Sequence, residues 1–196
     1  MYPNFSKHYN WLIHYIASDS ITDTCICTEV SYILPVYMMQ RKQLSPEQAY
    51  EKIKYYCAYQ ERSHKETKEK LYTLGLRREQ VDLLLSRLIE EGYLNEERFA
   101  IQLAGGKFRI KQWGKKKIEQ QLKEKQVSAY CIKKALAQIN DTDYEQTLEI
   151  LATRKWEQLK TEKNIFIKMR KLQDYLLQKG YEYERVKEIL KKIKEL

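Results

Sequence analysis

Proline is nearly missing from this 196-residue chain: there are three, Pro3, Pro35 and Pro46, and none after residue 46. Glycine numbers only six. A β-sandwich or barrel needs turn residues at short intervals, and that supply is absent. Long apolar runs are lacking too. The most hydrophobic stretch, residues 30–39, is short and broken by Pro35, so neither a membrane span nor an ordinary secretory signal is readable and a cytoplasmic location is expected. The four cysteines, Cys25, Cys27, Cys57 and Cys131, are too few and too irregularly spaced for a disulfide framework, and reduced thiols are expected. Cys25 and Cys27 with His8 and His14 could offer four zinc ligands, but their spacing is not that of a finger or knuckle. The three histidines are scattered, and no phosphate loop, dinucleotide fingerprint or H-E-x-x-H motif is found. The many Glu residues lie mostly beside Lys on helical patterns, where solvated faces explain them better than acid/base pairs do. No enzyme, cofactor or metal is therefore expected.

What the chain does have is positive charge, unevenly placed. Residues 1–37 hold one Lys against Asp19, Asp23 and Glu29, whereas residues 38–196 hold 35 basic and 24 acidic residues. The first part, with five tyrosines and two prolines, lacks a sustained helical period, so residues 1–40 read as an irregular arm. Met38 and Met39 lie at the junction, directly before Gln40-Arg41-Lys42, and point to a natural translation start there; the intact mass of the endogenous protein decides this.

Beyond the junction, helix starts recur. Ser45-Pro46-Glu47-Gln48 and Ser63-His64-Lys65-Glu66 read as capping boxes, and Asn95-Glu96-Glu97 and Asp143-Tyr144-Glu145-Gln146 pair a cap with first-turn acids. Gly75, Gly92 and Gly180 follow helical patterns, as left-handed C-terminal caps do. Overlaying these signals exposes a repeat: a shift of 51 takes Leu71, Val81, Leu84, Leu85 and Leu88 onto Leu122, Ile132, Ala135, Leu136 and Ile139, and a further 54 reaches Leu176, Val186, Ile189, Leu190 and Ile193. Gly75 maps onto Gln126 and then Gly180. The spacing predicts an all-α protein of three tandem three-helix units over 41–94, 95–140 and 141–196, forming an elongated, curved body. The tyrosines of the first unit divide: Ala49, Ile53 and Tyr56 share a face and are expected in the core, while Tyr55 and Tyr59 lie on another side and are expected to pack against a neighbouring repeat or the arm.

The segment Glu90-Glu91-Gly92-Tyr93-Leu94-Asn95-Glu96-Glu97-Arg98-Phe99-Ala100 resembles the junction between the first two repeats of the RecX family. Residues 59–71 followed by Gly75, and Trp113-Gly114-Lys115-Lys116-Lys117-Ile118, resemble the family's first repeat and its basic middle hinge. The resemblance spans about residues 41–194; it departs at Arg77, where the family often caps with Ser or Thr, and at Gly105-Gly106, which interrupt the middle repeat's first helix. It implies a non-enzymatic regulator that binds filaments of the RecA recombinase on DNA. Such a regulator limits filament growth and lowers ATPase, strand-exchange and coprotease activity in DNA repair and the SOS response.

Residues 105–125 carry the strongest concentration of charge, eight basic residues against Glu119 and Glu124. If the helix runs on through the glycines, Phe99, Leu103, Gly106, Ile110 and Trp113 form a core-facing stripe, and Phe108 faces outward between Lys107 and Arg109, suited to a nucleobase, a sugar or a protein pocket. If the glycines break it, Phe108 turns into the core. On the next helix Ile118 and Leu122 face inward and Lys116 and Lys123 outward. The candidate patch for RecA and DNA is Lys107, Phe108, Arg109, Lys111, Lys115, Lys116, Lys117 and Lys123; Arg154, Lys155 and Lys160 form a weaker basic group. The expected partners are the RecA filament and single- and double-stranded DNA, with no membrane, and the expected state is a monomer. The competing readings are a helical DNA-binding module without a dedicated protein partner, and a passive scaffold whose charge serves solubility.

Overall fold

The structure, a computed structural model, describes residues 44–194. The expected arm, the Met38/Met39 start and the Cys25, Cys27, His8 and His14 set lie outside the described residues.

Among the described residues the secondary structure is entirely helical, in three successive triplets. The first holds α1 (Pro46–Tyr59), α2 (His64–Thr73) and α3 (Arg78–Glu90). The second holds α4 (Glu96–Lys111), α5 (Lys115–Glu124) and α6 (Ala129–Ala137). The third holds α7 (Asp141–Gln158), α8 (Ile165–Lys179) and α9 (Tyr183–Lys194). Both serine capping boxes form, and Asn95 accepts from the Arg98 N–H. One start is displaced: Asn140, not Asp143, caps α7, its side chain accepting from the Thr142 N–H at 2.8 Å. Arg77 supplies no side-chain cap, but its N–H donates to the Gln80 side chain, so half of the reciprocal pair survives.

The repeat arithmetic is visible in the burial. Leu71, Leu122 and Leu176 are inaccessible to solvent, and Val81, Leu84 and Leu88 are buried together with their counterparts in the other two triplets. The turn after the second helix of each triplet also keeps one backbone conformation, with φ of 89° at Gly75, 59° at Gln126 and 94° at Gly180. The middle copy has lost the glycine but not the left-handed turn, accepting a steric cost of about 1 kcal/mol.

The apolar residues divide unevenly. The first triplet builds its own cluster around Ile53, Leu71, Val81 and Leu88. The second and third share one, in which Phe99, Ala104, Phe108 and Ile118 meet Tyr144, Leu148, Leu172, Leu176 and Tyr181. Tyr50 is buried in the first cluster, whereas Tyr56 is half-buried with the Arg62 guanidinium 4.1 Å from its ring centre. Tyr55 and Tyr59, expected to be covered, are exposed.

Candidate functional site

The basic segment of the second triplet occupies the end of α4, the hinge at residues 112–114, and α5. Helix α4 runs unbroken through Gly105 and Gly106, yet Phe108 points inward: it is 9% exposed and its ring lies 5.8 Å from that of Tyr144. Neither sequence expectation described this, because two faces of α4 are apolar. Ala100, Ala104 and Phe108 face the core, and the small side chains of the first two let α6 approach closely. Of the stripe expected in the core, Phe99 is buried and Trp113 half-buried against it, but the middle turns away, with Ile110 77% exposed and Leu103 and Gly106 half-exposed. Phe108 therefore leaves the candidate surface. The helix tolerates its two glycines, at a propensity cost of about 1 kcal/mol each, because its other face is anchored. Gly105 is covered by its own helix: a Cβ there would meet the Arg109 guanidinium at 2.9 Å.

The hinge is fixed by the third triplet. Gly114 N–H donates to the Lys179 carbonyl at 2.9 Å and Lys116 N–H to the Gly180 carbonyl at 3.1 Å. A Cβ on Gly114 would lie 2.2 Å from the Gly180 carbonyl carbon, so only glycine permits the contact. Lys115 N–H donates to the Tyr144 hydroxyl at 2.9 Å, which in turn donates to Glu182 Oε2 at 2.7 Å. Burial keeps the Tyr144 phenol protonated well above the ordinary tyrosine range, as that donation requires.

These contacts sort the candidate cations. Lys115 pairs with Asp141 at 2.8 Å and sits over the Tyr144 ring; Lys117 donates to the Gln178 carbonyl at 3.1 Å; Lys123 pairs with Glu119 at 2.6 Å. Lys107, Arg109, Lys111 and Lys116 have no ion pair among the described residues. Lys107 and Lys117 approach the Trp113 ring, at 5.1 and 4.8 Å from its centre.

Lys107 and Lys111 also border a groove of about 390 Å³ between the first and second triplets, with Arg62 and Lys125 among its other basic residues and Leu103, Gly106 and Ile110 as its apolar wall. Its two acids are already compensated: Glu61 by Arg98 at 2.9 Å and Glu66 by Lys125 at 2.8 Å. The groove therefore presents uncompensated positive charge beside an exposed isoleucine. Sequence reasoning missed it because Arg62 lies 45 residues before Lys107. The available signal was the second apolar face of α4, one more than a single core needs. The weaker basic group lies at the end of α7, with Arg154 and Lys160 exposed and Lys155 5.2 Å from the Tyr175 ring centre.

Among the described residues no group of His, Cys, Asp and Glu could hold a metal ion, and no helix is long and apolar enough to cross a membrane.

Residues 95–136 match the family model for the second three-helix domain of RecX and residues 142–190 that for the third. The chain is 29% identical over 131 residues to "Regulatory protein RecX" of Clostridium botulinum (strain Eklund 17B / Type B), covering 66% of this chain and 61% of that protein. It is 29% identical over 133 residues to its namesake from Clostridium perfringens (strain 13 / Type A), covering 67% and 62%. The matches thus span about three-fifths of these curated relatives. The crystal structure of RecX from Lactobacillus salivarius superposes with a TM-score of 0.69 at 21% identity, covering 77% of this chain and 97% of that one. A second crystal structure, of regulatory protein RecX, gives 0.68 at 19% identity, covering 94% and 85%.

Proposed function

Since the chain belongs to the RecX family, we propose that it is a non-enzymatic regulator that binds RecA filaments on DNA and restrains their recombinase, ATPase and coprotease activities. The observation that carries this reading is the set of four cations without an ion pair among the described residues, Lys107, Arg109, Lys111 and Lys116, at the end of α4 and the start of α5, beside a groove whose acids are already neutralised. A polyanion meeting this surface displaces counterions without first breaking internal ion pairs. Lys115, Lys117 and Lys123, already engaged in internal contacts, contribute to the local potential rather than reaching for a ligand. Repeated three-helix units suit a partner that is itself a repeating polymer.

The test replaces Lys107, Arg109, Lys111 and Lys116 by Gln and compares binding to bare single-stranded DNA, bare duplex and RecA-coated DNA at two salt concentrations. A control carries the same charge change at Lys52, Lys133, Lys187 and Lys191, which are exposed elsewhere. Selective loss of filament binding in the first variant supports the regulator. Equal salt-sensitive loss on all three ligands supports a DNA-binding module without a protein partner. Equal loss in both variants means that net charge alone acts and removes the site.

A further inference from the structure

The most exposed large aromatic of the two triplets that share a core lies in the third. Helix α8 opens with Ile165, Phe166 and Ile167, of which Phe166 is 82% exposed and the isoleucines 46% and 44%. The inward face of α8 is already filled by Leu172 and Leu176, and Phe166 lies about 120° around the helix from Leu172. No core position is vacant for it. The surroundings are strongly basic: residues 154–171 hold seven Lys or Arg against Glu157 and Glu162. Glu162 is tied to Lys171 at 2.7 Å, while Arg154, Lys160, Lys163 and Arg170 are exposed and have no ion pair among the described residues. Lys168 folds inward over Trp156, 3.6 Å from the ring centre, and holds the half-buried indole against the base of this tip.

We propose that the tip formed by the α7–α8 turn and the first turns of α8 is a single-stranded DNA contact, in which Phe166 stacks on an unpaired base and Arg170, Lys163 and Lys160 hold phosphates of the same strand. Phe166 and Arg170 stand one helical turn apart on the solvent face, so ring and guanidinium present side by side. An exposed ring among uncompensated cations is the combination that single strands use, stacking for the base and charge for the backbone. A duplex keeps its bases stacked internally and offers this ring nothing to stack on. Free cations outnumber free acids here, and this favours a polyanion over a neutral protein pocket. The contact deepens the nucleic-acid part of the proposed function, at residues separate from the middle-triplet cations. Its test uses bare oligonucleotides, so its failure leaves filament binding through α4 and α5 standing.

Binding of a 20-nucleotide oligothymidylate is compared with binding of an abasic strand of the same length and phosphate charge. The wild-type protein is expected to prefer the strand that carries bases. Phe166→Ala should weaken oligothymidylate binding about 10-fold and abolish the preference without changing the salt dependence. Phe166→Trp should keep the preference, with its added fluorescence quenched on binding. Lys160→Gln with Lys163→Gln and Arg170→Gln should weaken both strands alike and flatten the salt dependence. Unchanged melting of Phe166→Ala is expected, since the ring is outside the core. A wild-type protein that binds both strands equally overturns the proposal. So does a Phe166→Ala variant that keeps the preference, or one that loses only binding to RecA-coated DNA, which would assign the ring to a protein pocket.

Discussion

Charge holds the first triplet to the second, whereas backbone contacts and aromatic rings, with the Lys115–Asp141 pair beside them, hold the second to the third. Across the first junction run the Lys125–Glu66 and Arg98–Glu61 pairs and a hydrogen bond from the Lys65 ammonium to the Glu124 carbonyl at 3.1 Å. Across the second, Gly114 and Gly180 meet backbone to backbone, and the rings of Phe108, Tyr144 and Tyr181 follow one another at 5.8 and 5.0 Å. The apolar clusters divide in the same place, one for the first triplet and one for the other two. Partly exposed ion pairs contribute between about 0 and 1 kcal/mol and weaken with salt, while a shared core contributes several times more. The first junction should therefore answer to pH and ionic strength, and the second to packing.

The sharpest way to break that contrast is Phe108→Ala. If the ring is part of the shared core, the substitution should cost about 3 to 5 kcal/mol, read as a lower urea midpoint. An unchanged midpoint would return Phe108 to the surface and leave the second junction without its central ring.

A smaller effect separates two glycines eight residues apart. Gly114→Ala should cost about 2 to 3 kcal/mol, because its Cβ would collide with the backbone at Gly180, which cannot swing aside as a side chain can. Gly106→Ala should instead stabilise by about 1 kcal/mol, since a Cβ there meets nothing within 4 Å and α4 gains helix propensity. Thermal melts of the two variants should move in opposite directions; movement in the same direction would mean that the hinge is not locked.

The smallest effect lies at the first junction. Burial alone would push the Glu66 carboxyl up, but hydrogen bonds from Lys125 and from the Ser63 N–H outweigh it and hold it below the ordinary carboxylate range. A group depressed in the folded state contributes stability above its unfolded pKa, near 4.3, and that contribution is lost as pH falls through the folded value. Lys125→Gln should therefore flatten the acid limb of the stability curve below about pH 4 relative to wild type, and added salt should shrink the difference. Identical acid limbs at low salt would show that the pair does not join the triplets.

The helices and their repeat were legible in the chain because capping boxes, glycine stops and the spacing of Leu71, Val81, Leu84 and Leu88 are local patterns that recur twice more. The face of α4 was not. Beyond the buried Phe99, Leu103 and Ile110 continue one apolar stripe and Ala100, Ala104 and Phe108 make another; which one faces inward depends on how closely α6 can approach, and periodicity carries no information about that distance. The same limit applied to the candidate cations. Their clustering could be read from the chain, and so could the Lys123–Glu119 pair one turn apart, but that Lys115 and Lys117 are already spent depends on Asp141 and Gln178, each contributed by another helix.

By itself, then, the sequence determined an all-helical chain of three related triplets with a basic middle, since helix propensity, caps and apolar period act within a few residues of one another. Only the tertiary structure decided that the second and third triplets share a core while the first keeps its own, that Phe108 is packed and Phe166 is not, and that four of the middle-triplet cations have no ion pair among the described residues. Those outcomes depend on which surfaces meet at distances of a few ångströms, and such meetings join residues that are tens of positions apart in the chain.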